Sequence, residues 1–288
     1  MGKFSRSWEL VKQSFAVLKS DKQLLIFPIL SAISCIIVTL IIGTGGVFIS
    51  LPSRAAALAI GERWNPAQAP FFYPILFALY AANYFIIVFF NVALVGVANS
   101  RLGGGTWTMR DGLELAWARK GTIFQWALVA ATVGVILKTI EERLGLIGRI
   151  VMRIIGVAWA LACYFVVPVL AFEDLSPIEA IKRSSKLFKD TWGERVVGAF
   201  SFRLIFFLLG LPAFGLLFLS IIAGIGARNA GIFLLGFALM IVYFVVLSAV
   251  SSSVQGIFNA ALYRYACYKQ VPPAFSADLI TQAWTPKA

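Results

Sequence analysis

Between Lys22 and Arg54 the chain carries no charged residue. About 20 apolar residues in helical form cross the hydrocarbon core of a bilayer, and residues 24–51 exceed that length. Five further apolar runs follow, at 71–98, 121–137, 154–172, 196–225 and 230–262. In lipid every backbone N–H and C=O must be paired within the protein, so runs of this kind read as helices. With 60% hydrophobic and only 13% charged residues, a soluble domain is excluded. The expected fold class is an all-α integral membrane protein of six transmembrane helices. They are grouped in three hairpin modules, each preceded by an amphipathic helix on the cytoplasmic side. One membrane domain is expected over 1–270, with modules at about 1–102, 103–172 and 173–270, and then an extended or loosely docked tail at 271–288. The segment 52–70, with three prolines, reads as a loop, and the mixed segment 138–153 as an interfacial elbow. Gly210 and Pro212 mark an expected kink in the fifth span.

The net charge of +12 acquires a meaning once the charges are placed. The segments on the N-terminal side of the spans carry five, four, six and three basic residues in turn, 18 of the 25. The opposite segments carry two, four and one. Lys and Arg collect on the cytoplasmic side, so both termini are expected there. The basic balance is then an orientation signal, and nucleic acid is not an expected partner. No leader with a cleavage pattern is expected at the N-terminus.

The most sharply written helix lies at 172–192. Ser176 is a good N-cap, Pro177 suits the first helical position, and Glu179 completes a capping box. Ile178, Ile181, Phe188 and Trp192 share one face, interrupted by Ser185, while Lys182, Arg183, Lys186 and Lys189 fill the other. A basic amphipathic helix between apolar runs is expected on an anionic membrane surface. Displaced by 170 residues, Glu179, Lys182, Ser184 and Lys189 fall on Glu9, Lys12, Ser14 and Lys19 of the first segment. Independently, Phe90, Asn91, Leu94 and Ala98 match Phe258, Asn259, Leu262 and Ala266 at a shift of 168. The chain therefore reads as an internal repeat of an amphipathic helix followed by two spans. The middle copy matches only loosely, through Glu114.

The pattern from Pro168 to Ser184, with Phe172, Glu173, Asp174, Ser176, Pro177, Glu179, Ala180 and Arg183, resembles that of uncharacterised bacterial six-span inner-membrane proteins. It is also similar to the membrane portion attached to some glycerophosphodiester phosphodiesterases. Those enzymes work through a separate soluble barrel with histidines and metal-binding carboxylates. This chain has no histidine, so the resemblance implies a fold and a bacterial inner membrane, and no activity.

Catalytic chemistry finds little support. Cys35, Cys163 and Cys267 stand alone in apolar surroundings and read as packing residues. Gly103–Gly105 lacks the lysine of a phosphate-binding loop, and Ser251–Ser253 has no base within a motif. Glu173 and Asp174 are expected to pair with nearby cations. No carboxylate lies deep in a span, which disfavours an ion-coupled carrier. Two polar stripes remain: Asn83 and Asn91 in the second span (with Asn99 beyond), and Ser248, Ser252, Gln255 and Asn259 in the sixth. They are interhelical contacts or the lining of a polar groove. Lys12, Lys19, Lys182, Arg183, Lys186, Lys189 and Arg264 are the candidate contacts to anionic lipid. No enzyme activity, cofactor or metal is expected. The expected role is that of a non-enzymatic factor acting through membrane lipids or a protein partner, which includes a second copy of itself, in envelope homeostasis. The alternative is an uncoupled lipid or small-solute pathway.

Overall fold

The computed structural model describes residues 3–59, 71–192 and 200–281, and all its regular structure there is helical. Six helical stretches are long and apolar enough to cross a membrane: Lys22–Ala55, Phe72–Leu102, Lys120–Arg143, Gly148–Phe172, Ile205–Gly226 and Ala230–Tyr268. The protein is a multi-pass membrane protein. In chain order the helices are α1 (Lys3–Ser20), α2 (Ile26–Ala59), α3 (Phe72–Leu102), α4 (Met109–Ala118), α5 (Lys120–Arg143) and α6 (Leu146–Ala162). They continue as α7 (Val166–Phe172), α8 (Pro177–Trp192), α9 (Phe200–Gly226), α10 (Ala230–Tyr268) and α11 (Ala277–Thr281). A single 3-10 turn, Lys22–Leu25, leads into α2 behind an Asp21 cap that accepts from the Gln23 N–H at 3.1 Å.

Several boundaries differ from the sequence reading. The segment expected to become a loop at Pro52 stays helical to Ala59. A proline inside a helix forfeits one backbone bond, and a spanning helix tolerates this where local groups adjust. The rest of that loop, with Glu62 and Arg63, lies outside the described residues. The elbow at 138–153 shrinks to Leu144 and Gly145 between two helix ends. Arg153 meets Glu141 at 3.7 Å and Lys138 meets Glu142 at 4.0 Å, and Arg149 donates to the Leu144 carbonyl at 3.2 Å. Pro212 lies within α9, which runs on unbroken to Gly226.

The fourth span, by contrast, is broken. It ends as α6 at Ala162 and resumes as α7 at Val166. Pro168 explains the position, because it offers no N–H to the Tyr164 carbonyl and its ring crowds that carbonyl. The break leaves the Phe165 N–H without its helical acceptor. The Ser184 hydroxyl of α8 takes that N–H at 2.9 Å in a fully buried contact, and the neighbouring Ser185 donates to the Ala162 carbonyl at 3.4 Å.

By contact density the chain forms two compact units: 1–28, 94–112 and 186–288 in one, 29–93 and 113–185 in the other. In the first, α1 packs on α9 and α10. Leu94, Val97 and Ala98 of α3 and Ile257, Leu262 and Tyr263 of α10 are buried there. Gly256 lets α10 approach α3 so closely that a Cβ at this position would overlap the Leu94 side chain. The Ser253 hydroxyl donates to the Leu24 carbonyl at 3.1 Å. Of the expected tail, residues 271–281 are described, and they are docked: Phe275 and Ile280 are buried, and the Ser276 N–H donates to the Gln13 side chain at 3.3 Å. In the second unit Trp126 of α5 stacks on Trp159 of α6, with ring centres 6.3 Å apart.

Two of the short helices are capped alike. The Ser176 N–H and hydroxyl both donate to the Glu179 carboxylate, at 2.9 and 2.7 Å. The Thr108 N–H and hydroxyl both donate to Asp111, at 2.6 and 2.8 Å. The Ser176 hydroxyl thus binds the carboxylate instead of a first-turn N–H. These bonds favour the charged form. The Ser176 hydroxyl, then its N–H, hold the Glu179 carboxyl below the ordinary glutamate value, and the Thr108 N–H, then its hydroxyl, do the same for Asp111.

Replacing Ser184 with alanine should leave the Phe165 N–H buried and unpaired, at a cost of about 1–3 kcal/mol. Thermal unfolding in detergent micelles checks this, and Ser185→Ala should cost less, since its bond is longer and half-buried. Because the folded Glu179 value is depressed, the stability from its cap is present above the unfolded value of about 4.3 and is lost as pH falls through the folded one. Wild type and Glu179→Gln should therefore differ in unfolding midpoint at neutral pH and converge in acid.

Candidate lipid-facing basic helices and intramembrane polar positions

The geometry of α8 is set by what it must bury. Ala180, Ser184, Leu187 and Phe188 face inward, while Ile178 is 57% exposed and Ile181 only half-buried. Of the stripe read from the sequence, Phe188 is buried, Ile181 half-buried and Ile178 exposed, and the Trp192 side chain lies outside the described residues. The physical cause is Ser184, which must point inward to reach the broken fourth span, and small Ala180 one turn earlier permits the approach. Lys182, Lys186 and Lys189 remain exposed.

Arg183 differs from these lysines. Its Nε donates to both carboxylate oxygens of Glu173, at 3.1 and 2.9 Å. The neighbouring Asp174 accepts from Arg119 at 2.6 Å. Both acids are therefore paired with arginine, as the sequence suggested, and the guanidinium of Arg183 braces the start of α8.

On α1 the buried residues are Leu10, Val11, Ser14, Val17 and Leu18. Each lies 170 positions before a buried or half-buried residue of α8: Ala180, Ile181, Ser184, Leu187 and Phe188. Outward on α1 stand Trp8, Lys12, Phe15 and Lys19, and Lys12 lies 3.5 Å from Glu9 with its ammonium 6.0 Å from the Trp8 ring centre. Lys12 and Lys19 correspond in number to Lys182 and Lys189, and all four are exposed.

Arg264 is half-buried and fixed within its own unit. It donates to the Gln270 side chain at 3.2 Å, and its guanidinium occupies the space that a Cβ on Gly103 would need. The adjacent Gly104 has φ +81, so this turn depends on glycine twice. A second cation in the unit serves the same local end: Arg101 donates to Asp21 at 2.7 Å, tying the end of α3 to the turn before α2.

The polar stripes divide between the two units. Asn83 is half-buried and tied to α2, donating to Thr39 at 3.2 Å and to the Leu79 carbonyl at 2.9 Å. Asn91 is half-buried. Ser248 is exposed and donates to the Val245 carbonyl of its own helix at 2.9 Å, and exposed Gln255 donates to Ser251 at 2.8 Å. Ser252 and Asn259 are half-buried, whereas the buried serine of this run is Ser253. Sequence reasoning weighed Ser253 only as a nucleophile, and it passed over the Thr108–Asp111 cap. The cap had a signal, a threonine three residues before an acid at a helix start.

No group of three or more candidate metal ligands forms among the described residues. Among curated proteins and among solved structures, nothing matches the chain. A family model matches residues 71–271, from the start of α3 to just beyond α10, and the chain thus belongs to the family of unknown function DUF6159.

Proposed function

We propose that this is a non-enzymatic membrane factor that works through contacts between its short basic helices and anionic lipid on the cytoplasmic face. The observation that carries this reading is the common register of α1 and α8. Positions 170 apart are inward on both helices, and the pairs Lys12/Lys182 and Lys19/Lys189 are outward on both. Such agreement supports an internal repeat in which a surface helix precedes each membrane hairpin, with α4 as the middle copy. Lysines on long stems beside outward aromatic or aliphatic residues fit a helix lying at the headgroup level. With both termini on the same face, the basic excess falls on the leaflet where anionic lipid attracts it.

In this reading the chain resides in a bacterial inner membrane and contributes to envelope homeostasis, through lipid and through a membrane-protein partner or a second copy. An uncoupled lipid or solute pathway is the weaker reading, since Asn83, Ser248 and Gln255 already bond to near neighbours.

Hydrogen–deuterium exchange in nanodiscs tests the proposal. Backbone exchange over α1 and α8 should be slower in phosphatidylglycerol than in phosphatidylcholine. The combined variant Lys12→Gln, Lys19→Gln, Lys182→Gln and Lys189→Gln should remove the difference. Equal exchange in the two lipids, or cysteine labelling that places α8 outside the cytoplasm, would sink the idea.

A further inference from the structure

The third candidate span opens with an ammonium group set over an exposed indole. Lys120, the first residue of α5, holds its Nζ 4.2 Å from the centre of the Trp117 ring. Trp117 is 63% exposed. Its edge meets Phe89, with ring centres 6.4 Å apart, and Phe89 lies 6.0 Å from Phe85. Phe85 in turn meets Phe124 at 6.1 Å, and Phe124 is 53% exposed one turn along α5 from Lys120. The five residues belong to one compact unit. Together they form a strip of four rings with a cation at one end.

The charge at that end is not neutralised. Lys12, which also lies over a ring, has Glu9 beside it, and Arg119, next to Lys120 in the chain, is taken by Asp174. Lys120 meets no carboxylate within ion-pair distance among the described residues. An aromatic face holds an ammonium in place without cancelling its charge. The N–H donors directed away from the ring remain available to an acceptor. Lys120 also opens a candidate span, while Phe85, Phe89 and Phe124 lie inside spans. If Lys120–Arg143 crosses the bilayer, the cation stands at its headgroup end and Phe124, one turn further in, among acyl chains.

We propose that this strip holds one anionic glycerophospholipid, with its phosphate on Lys120 and an acyl chain along Phe124 and Phe85. A zwitterionic lipid carries its own ammonium or quaternary amine, which competes with Lys120 for both the phosphate and the indole. The anionic lipid lacks that competitor. The inference rests on the reading that this face meets an anionic leaflet, but it shares no residue with α1 or α8.

The test is tryptophan quenching by brominated lipids in reconstituted vesicles. The Trp117 contribution is taken as the difference between the parent protein and Trp117→Phe. Brominated phosphatidylglycerol should quench that component with an apparent affinity about fivefold above brominated phosphatidylcholine. Lys120→Gln should bring the ratio to about one, and Lys120→Arg should keep it. Lys120 is exposed, so neither variant threatens the fold, and the unfolding midpoint checks this. A Trp117 component that is unquenched, quenched equally by both lipids, or still selective in Lys120→Gln would overturn the assignment. If exchange over α1 and α8 loses its lipid dependence while Trp117 keeps its preference, the wider reading fails and the strip stands. The reverse result removes the strip alone.

Discussion

An amide N–H left bare in hydrocarbon costs several kcal/mol, and one such group governs how the middle of this chain is built. Pro168 breaks the fourth span, the break frees the Phe165 N–H, and Ser184 accepts it. That single bond fixes the rotation of α8 about its axis. With Ser184 inward, Ala180, Leu187 and Phe188 follow it, and Lys182, Lys186 and Lys189 are left outward. Ser253 does comparable work in the other unit by bonding to the Leu24 carbonyl at the entrance to α2. Small hydroxyls between closely packed helices thus decide which face of a basic helix meets its surroundings.

Charge plays two distinct parts. Three arginines are used for bracing: Arg101 on Asp21, Arg119 on Asp174 and Arg183 on Glu173. Lysines, by contrast, occupy the exposed positions of α1 and α8. A planar guanidinium loses less freedom per bond in a fixed pairing, whereas a flexible ammonium keeps its charge in water.

The spans were legible in the sequence because hydropathy over long windows is a local property. Lys22–Ala55 and Ala230–Tyr268 declare themselves without any knowledge of their neighbours. The pairing of Glu173 was legible for a similar reason, since Arg183 follows ten residues later on α8, whereas the partner of Asp174, Arg119, lies 55 residues away. The break at residues 163–165 was not, because Pro168 had been read only as part of a motif and a proline alone does not reveal a distant acceptor. The inward turn of Ser184 was not legible either, because it depends on the break in the fourth span and the Phe165 N–H that the break frees. Gln13 with Ser276, and Gly256 against Leu94, depend on contacts between distant stretches of chain that no local pattern encodes.

The packing of α1 on α9 and α10 has a consequence for biosynthesis. α1 is made well before α9 and α10 and finds these partners only when they have followed. At about 5–20 residues per second, α1 waits on the order of 10–40 s with Leu10, Val11, Val17 and Leu18 uncovered. The order of synthesis therefore makes α1 wait, with apolar side chains uncovered, for the helices that bury it.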